Sequence, residues 1–206
     1  GIRADAKIVL GQLLAALAGR IKKPRDYKNS SYFKEIIKAR KEFFDSFRDR
    51  RESNASPVSI SRALVEMRKV VPRDSIWVSG AGLPQSQVYQ EVPFFEPRTH
   101  ITSGGFSTMG FTVPGAIGAQ LAAPKRRVIG VAGDGDFLNS IQELAIAVQR
   151  SLPIVYVVMN NCGWQSIRNL QRTAYGEKRV INTQFVNRDG DFFSPNLADV
   201  AKAFGA

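Results

Sequence analysis

A carboxylate held between glycines, Gly133-Asp134-Gly135, and two neighbouring amides, Asn160-Asn161, are the residues whose types and spacing could do chemistry. Asn161 follows Asp134 by 27 positions. Asp134 can supply a hard carboxylate oxygen and Asn161 an amide oxygen. A backbone carbonyl just beyond, at Gly163, would complete three protein ligands. Magnesium takes six oxygens at short range, so phosphate oxygens and water would fill the remaining positions. Gly135 allows the backbone to approach a phosphate closely, and the amides of Gly135 and Asp136 open a helix, where anions are favoured. The set suits a divalent cation that grips a diphosphate. A Gly-Asp-Gly triplet alone also fits an ordinary turn, so its meaning depends on the flanking elements.

Those elements form one βαβ unit. Val128-Ile129-Gly130-Val131-Ala132 is a short apolar run of the kind found in buried parallel strands. From 137 to 150 the apolar positions Leu138, Ile141, Leu144, Ala145 and Val148 follow helical spacing. Pro153 then opens a second apolar run over 154–159, closed by the asparagines. A helix of about 14 residues climbs roughly 21 Å, and a strand of about six returns roughly 20 Å. Asp134 and Asn161 are therefore expected to meet beyond the strand C-termini, the edge at which open α/β sheets bind ligands.

With these elements in place, the run from Gly133 to Asn161 resembles the cofactor motif of thiamine-diphosphate-dependent enzymes. The block Thr102-Ser103-Gly104-Gly105-Phe106-Ser107-Thr108-Met109-Gly110-Phe111-Thr112-Val113-Pro114-Gly115 is similar to the acetolactate synthase branch, as are Ile141-Gln142-Glu143-Leu144-Ala145 and Leu152-Pro153-Ile154. The resemblance implies an α/β fold, a parallel sheet flanked by helices, with thiamine diphosphate and Mg2+ as cofactors. It assigns the metal to Asp134, Asn161 and the Gly163 carbonyl. It makes Met109 the bulky support of a bent cofactor, with backbone groups of Ser107 and Met109 on the aminopyrimidine and Thr108 beside them. Where the branch has a Gln-His pair after a glycine-rich turn, this chain has Gly80-Ala81-Gly82-Leu83-Pro84-Gln85-Ser86. Gly82 and Gln85, or Ser86, are the diphosphate candidates there.

The Leu-Pro step and the stretch from Asn161 to Gln171 look closer to enzymes hydrolysing cyclic 1,2-diketones. Two substrates classes thus stand: α-keto acids joined after decarboxylation, or a diketone ring opened by water. Trp164, Gln165 and Arg168 are the candidate substrate contacts. Arg168 could clamp a carboxylate or form a surface ion pair. A cofactor-free or nucleic-acid-binding module is the remaining reading. FAD in the complete enzyme also belongs to the family picture.

By the same resemblance, residues 1–21 end a preceding central domain, 22–57 form a basic linker and helix, and 58–206 form a cofactor-binding domain that stops before the family's last strand and helix. The glutamate that activates the cofactor would come from the pyrimidine-binding domain of another subunit of a homodimer or homotetramer. Nothing in this chain takes that part, so the chain alone is expected to be inert.

The net charge of +11 needs a separate explanation. Twelve Lys/Arg oppose five acids between Arg20 and Arg51, so most of the excess lies away from the motifs. Within that stretch Phe33, Ile36, Ile37, Phe44 and Phe47 form a helical stripe expected to face a core. Clustered cations can bind nucleic acid by releasing counterions, yet no nucleic-acid motif accompanies them. No apolar run approaches the roughly 20 residues of a membrane span, and the N-terminus lacks a signal-peptide pattern. The single cysteine, Cys162, excludes an internal disulfide and fits a reducing cytoplasm. It reads as a packed or partly exposed thiol. The only histidine, His100, has no second His or Cys at ligand spacing.

Helices are further expected over 6–17, 31–50 (capped by Ser30 or Ser31), 59–70, 111–122 and 164–173, strands over 75–79 and 98–102, and an irregular loop over 175–194.

Overall fold

A computed structural model describes residues 1–21, 23 and 26–206. The chain divides into two compact units, Gly1–Ser46 and Phe47–Ala206.

The first unit carries α1 (Ala6–Ala18), capped by Asp5, and α2 (Ser31–Asp45), capped by Ser30. The linker expected before α2 lies partly outside the described residues, Lys22, Pro24 and Arg25 among them. Two expectations for α2 need correcting. The helix stops at Asp45 rather than continuing to residue 50. There the Ser46 hydroxyl donates to the Phe43 carbonyl at 2.6 Å, the kind of local bond by which serine competes with helix continuation. The apolar stripe is also not buried: Ile36 and Ile37 are exposed, and α2 contains no buried residue. Lys38–Glu42 and Lys41–Asp45 pairs lie along it at i,i+4 spacing.

The second unit is built on a four-stranded, all-parallel sheet of order β2-β1-β3-β4: β1 (Ile76–Ser79), β2 (His100–Thr102), β3 (Val128–Gly133) and β4 (Val155–Met159). Alternation along the strands divides the core in two. Trp77, Ile129 and Val131 pack with Leu64 and Val88 from α4 (Ile60–Val70) and α5 (Leu83–Glu91). Val78, Val128 and Ala132 serve the other face, against α6 (Thr112–Ala122), α7 (Asp134–Leu138), α8 (Leu144–Gln149) and α10 (Leu197–Ala203). The short α3 (Arg48–Arg51) and the amphipathic α9 (Gln165–Tyr175) complete the helices. Among the described residues no helix is long and apolar enough to cross a membrane.

Two further differences from expectation follow from local chemistry. The helix expected over 137–150 starts earlier, at Asp134, and is interrupted after Leu138 before resuming as α8. Helix α5 was hidden because its buried residues include Gln85, Gln87 and Glu91. A helix that buries polar side chains shows no apolar periodicity, although its proline in the first turn is a start signal.

Candidate functional site

The C-terminal ends of β1, β3 and β4 open into a cleft of about 260 Å³. Four backbone turns line it: Ala81-Gly82 after β1, Ser107 and Met109 before α6, Gly133 to Asp136 after β3, and Asn161 with Gly163 after β4. Leu83 and Pro84 of α5 add apolar wall, as do Trp164 and Ile167.

Asp134 sits at the centre of this arrangement, only 2% exposed. Its Oδ1 accepts from the Gly135 N–H at 2.9 Å and its Oδ2 from the Gly163 N–H at 3.1 Å. The carboxylate thus joins the turn after β3 to the turn after β4, 29 positions later. Each oxygen keeps a lone pair for another partner.

The two asparagines divide the work at the β4 turn. Asn160 accepts from the Cys162 N–H at 3.1 Å through Oδ1 and donates to the Ser194 hydroxyl at 2.9 Å. That local bond accompanies a left-handed Cys162, with φ of 53°. Asn161 lines the cleft, and its amide has no hydrogen bond to another described residue. Gly163 then pairs with Gln184 in an antiparallel bridge. A Cβ on Gly163 would lie 2.3 Å from the Thr183 carbonyl oxygen, so only glycine fits.

These donors suit the cation chemistry expected of them. Among the described residues no group of three His, Cys, Asp or Glu could hold a metal. A cation here would take a mixed set instead: one buried carboxylate, one uncommitted amide and a backbone carbonyl. All are hard oxygens, as magnesium prefers.

The structure gives Gly135 a different reason to be glycine. A Cβ there would fall 2.1 Å from the Trp164 ring. The indole is packed over the turn, with its edge against Phe185 at 4.9 Å between centroids. Asp136, also 2% exposed, directs its carboxylate inward. Its Oδ1 accepts from the Gly110 N–H at 2.7 Å, and its Oδ2 from the Thr112 hydroxyl. Burial raises its pKa above the usual carboxylate range, against the lowering effect of these two bonds.

The remaining candidates separate. Gly82, Ser107, Met109, Gly133, Gln165 and Trp164 line the cleft. Gln85 does not: its Nε2 donates to Thr102 Oγ1 and its Oε1 accepts from the Ser107 hydroxyl at 3.0 Å. It braces the loop from behind. Thr108 lies outside the lining as well, and its N–H donates to Ser103 Oγ at 2.8 Å. Ser86 is exposed and donates to the Gly82 carbonyl. Arg168 pairs with Glu177 at 3.5 Å instead of entering the cleft. His100 is half-buried between Phe94 and Tyr89, with its Nε2 3.1 Å from Ser79 Oγ. Ser166 and Ile167 belong to the lining without having been singled out from sequence. Their signal was the start of α9 immediately after the turn that carries Asn161 and Gly163.

Comparison with known proteins agrees with this geometry. Residues 80–206 match the family model described as thiamine pyrophosphate enzyme, C-terminal TPP binding domain. The chain is 30% identical over 201 residues to an acetolactate synthase of Mycobacterium leprae, covering 98% of this chain and 31% of that protein. It is 33% identical over 192 residues to a glyoxylate carboligase of Escherichia coli O157:H7, covering 91% and 31% respectively. It is 39% identical over 132 residues to an acetolactate synthase large subunit of Lactococcus lactis subsp. lactis, covering 64% and 22%. The chain spans about a third or less of the length of these relatives. With a parallel sheet, a cleft at its C-terminal edge and this match over more than half its length, the chain belongs to the thiamine pyrophosphate enzymes, its residues 80–206 matching their C-terminal TPP binding domain.

Proposed function

We propose that this chain holds the metal and diphosphate of thiamine diphosphate in an enzyme that joins α-keto acids after decarboxylation. The observation that carries the reading is the meeting of Asp134, Asn161 and Gly163 on one cleft at the strand C-termini, with Met109 on the same cleft. The relatives' names, two acetolactate synthases and a glyoxylate carboligase, favour carbon–carbon bond formation over the opening of a diketone ring.

Thiamine diphosphate, when bound, supplies a carbon nucleophile and an electron sink for the carbanion that forms. The chain's own residues bind and orient. Asp134, the Asn161 amide oxygen and the Gly163 carbonyl would hold Mg2+. The backbone of Gly133, Gly135 and Asp136, with Gly82 across the cleft, would receive the diphosphate. Asp136 turns its charge inward and away from phosphate, so it can serve there only through its N–H. Met109 would support the rings, with Ser107 backbone beside it. Trp164, Gln165 and Ile167, which line the same cleft, would face the substrate.

Residues 1–21 would close a preceding central domain and 22–57 link it to the rest. The activating glutamate would come from the pyrimidine-binding domain of another subunit, in a homodimer or homotetramer. A reducing, cytoplasmic setting suits the single cysteine. A flavin in the complete enzyme is a secondary expectation, read directly from the visible absorption of the purified protein.

Calorimetric titration of the full-length protein with thiamine diphosphate tests the cofactor. Binding should require Mg2+ and disappear in chelator. Release of carbon dioxide from pyruvate tests the reaction. Binding that ignores the cation would reject the metal assignment, and turnover of a cyclic diketone without carbon dioxide would favour the hydrolase.

A further inference from the structure

We propose that the Asp136 carboxylate is a positioning residue that joins three of the four cleft-lining turns into one unit. The inference rests on the cofactor reading above and goes beyond it, because it gives a role to a buried side chain that the reading leaves unused.

The geometry is specific. Asp136 lies in the turn after β3. Its Oδ1 takes the N–H of Gly110, the residue after Met109, and its Oδ2 takes the hydroxyl of Thr112, in the first turn of α6 and fully buried. The third turn, after β1, is fitted around the same group. A Cβ on Gly80 would lie 2.6 Å from both carboxylate oxygens and 2.8 Å from Thr112 Oγ1. Gly80 is not left-handed, so the demand is for space rather than for conformation.

Asp134 and Asp136 therefore act in different directions. The first ties the β3 turn to the β4 turn; the second ties it to the loop bearing Met109. A buried carboxylate needs hydrogen-bond partners, and here the two partners are the elements that must be held. The Ser107–Gly110 segment has little other anchorage to the sheet beyond Gln85 and Ser103. Without the carboxylate the Gly110 N–H would be left unpaired, and the loop would spend part of its time open. Apparent cofactor affinity falls in proportion to the closed fraction.

The test uses the full-length protein. Hydrogen exchange of the 106–112 segment is measured without cofactor, and thiamine diphosphate affinity is measured with Mg2+. Asp136→Ala should speed exchange in this segment while peptides of β1 and β3 keep their protection. It should weaken thiamine diphosphate binding by roughly tenfold, the worth of one charge-assisted hydrogen bond. Asp136→Asn can still accept from Gly110 and donate to Thr112, so it should restore most of both. Gly80→Ala leaves Asp136 and its two donors chemically intact, yet its methyl would crowd the carboxylate and Thr112 Oγ1 together and should reproduce the alanine phenotype. Combined with Asp136→Ala it should add little, as expected of groups that share one interaction. Thr112→Val removes one of the two donors and keeps the test open if the alanine variant does not fold; it should give a smaller rise in exchange over the same segment.

Unchanged exchange over 106–112, or a rise spread evenly through the core, overturns the inference. So does an additive Gly80→Ala, Asp136→Ala double variant. Failure of the unaltered protein to bind thiamine diphosphate would instead overturn the proposed function. The exchange pattern without cofactor still decides the role of Asp136 in that case.

Discussion

The two ends of the cleft are built by different means. At the end proposed to hold the metal, called the metal end below, the turns after β3 and β4 leave strands that pair in register up to Gly133 and Met159. Asp134 is buried between them. At the ring end, the loop carrying Ser107 and Met109 follows the three-residue edge strand β2. Phe106 on that loop is 95% exposed and Met109 37% exposed. Strand pairing positions the first end, and side-chain hydrogen bonds from Gln85, Ser103 and Asp136 hold the second. A ladder is cooperative, whereas each of these bonds contributes only about 0.5–1.5 kcal/mol where both groups are neutral and about 1.5–3 kcal/mol where the Asp136 carboxylate accepts. Substitutions at the metal end should therefore act nearly all-or-none, and those at the ring end by degrees.

The largest effect is expected from Asp134→Asn in the full-length protein. It removes the only carboxylate in the donor set and disturbs the bond to Gly163. Mg2+-dependent thiamine diphosphate binding, followed by calorimetry, should fall by more than the roughly 10–100-fold that losing an outer-shell metal contact brings. The two asparagines sharpen the point. Asn161→Ala should weaken binding and leave the thermal midpoint almost unchanged, because its amide bonds to no other described residue. Asn160→Ala should lower the midpoint, because it undoes the bonds to Cys162 and Ser194. Equal midpoints for the two variants would contradict this division.

The same contrast explains what could be read from the chain. The convergence of the turns after β3 and β4 on one cleft was legible because a strand, a helix and a second strand follow one another, and the periodicities of 2 and 3.6 expose them. The meeting of Asp134 and Asn161 needed only the lengths of one helix and one strand. The ring end was located by resemblance, and its supports were not legible. Gln85 was read as a ligand, and its place behind the loop depends on Thr102 and Ser107, 17 and 22 positions away. Helix α5, which carries it, buries polar groups and so hides its period. The inward turn of Asp136 and the indole over Gly135 are tertiary facts that no local pattern records. In the first unit α2 has the period of a buried face, yet Ile36 and Ile37 are exposed and Phe33 and Phe44 only half-buried, since amphipathicity shows that a face can be covered, not what covers it.

Gly135→Ala comes next in size. Its methyl would meet the Trp164 ring at 2.1 Å, so the indole would have to leave its packing against Phe185. Overpacking of this kind costs typically 1–3 kcal/mol, to be read from denaturant midpoints. Adding Trp164→Ala should recover most of that loss by clearing the space. If the double variant stays as unstable as Gly135→Ala, the glycine serves the backbone itself and not the indole.

At the ring end Ser107→Ala should have a milder result. It deletes one hydrogen bond to Gln85, worth about 0.5–1.5 kcal/mol, and Gln85 keeps its bond to Thr102. Thiamine diphosphate affinity should fall several-fold at most while the Mg2+ requirement persists. A loss as deep as that of Asp134→Asn would erase the distinction between the two ends.

The smallest effect is one of pH, and it falls on the ring end alone. His100 opens β2, which carries Thr102 and leads into the loop. Burial against Phe94 and Tyr89 lowers its pKa below the usual histidine value. The folded state thus prefers the neutral ring, while the unfolded chain takes up a proton once pH falls below about 6.5. Its contribution to stability is complete above that pH and is lost progressively below it. Acidifying from about pH 7.5 to about pH 5.5 should therefore lower amide protection, after allowance for the slower intrinsic exchange in acid, over 100–110 more than over 128–135. His100→Gln cannot titrate in this range and should flatten that difference. If the variant loosens both segments equally with acid, the histidine is not the source, and the ring end has no acid sensitivity of its own.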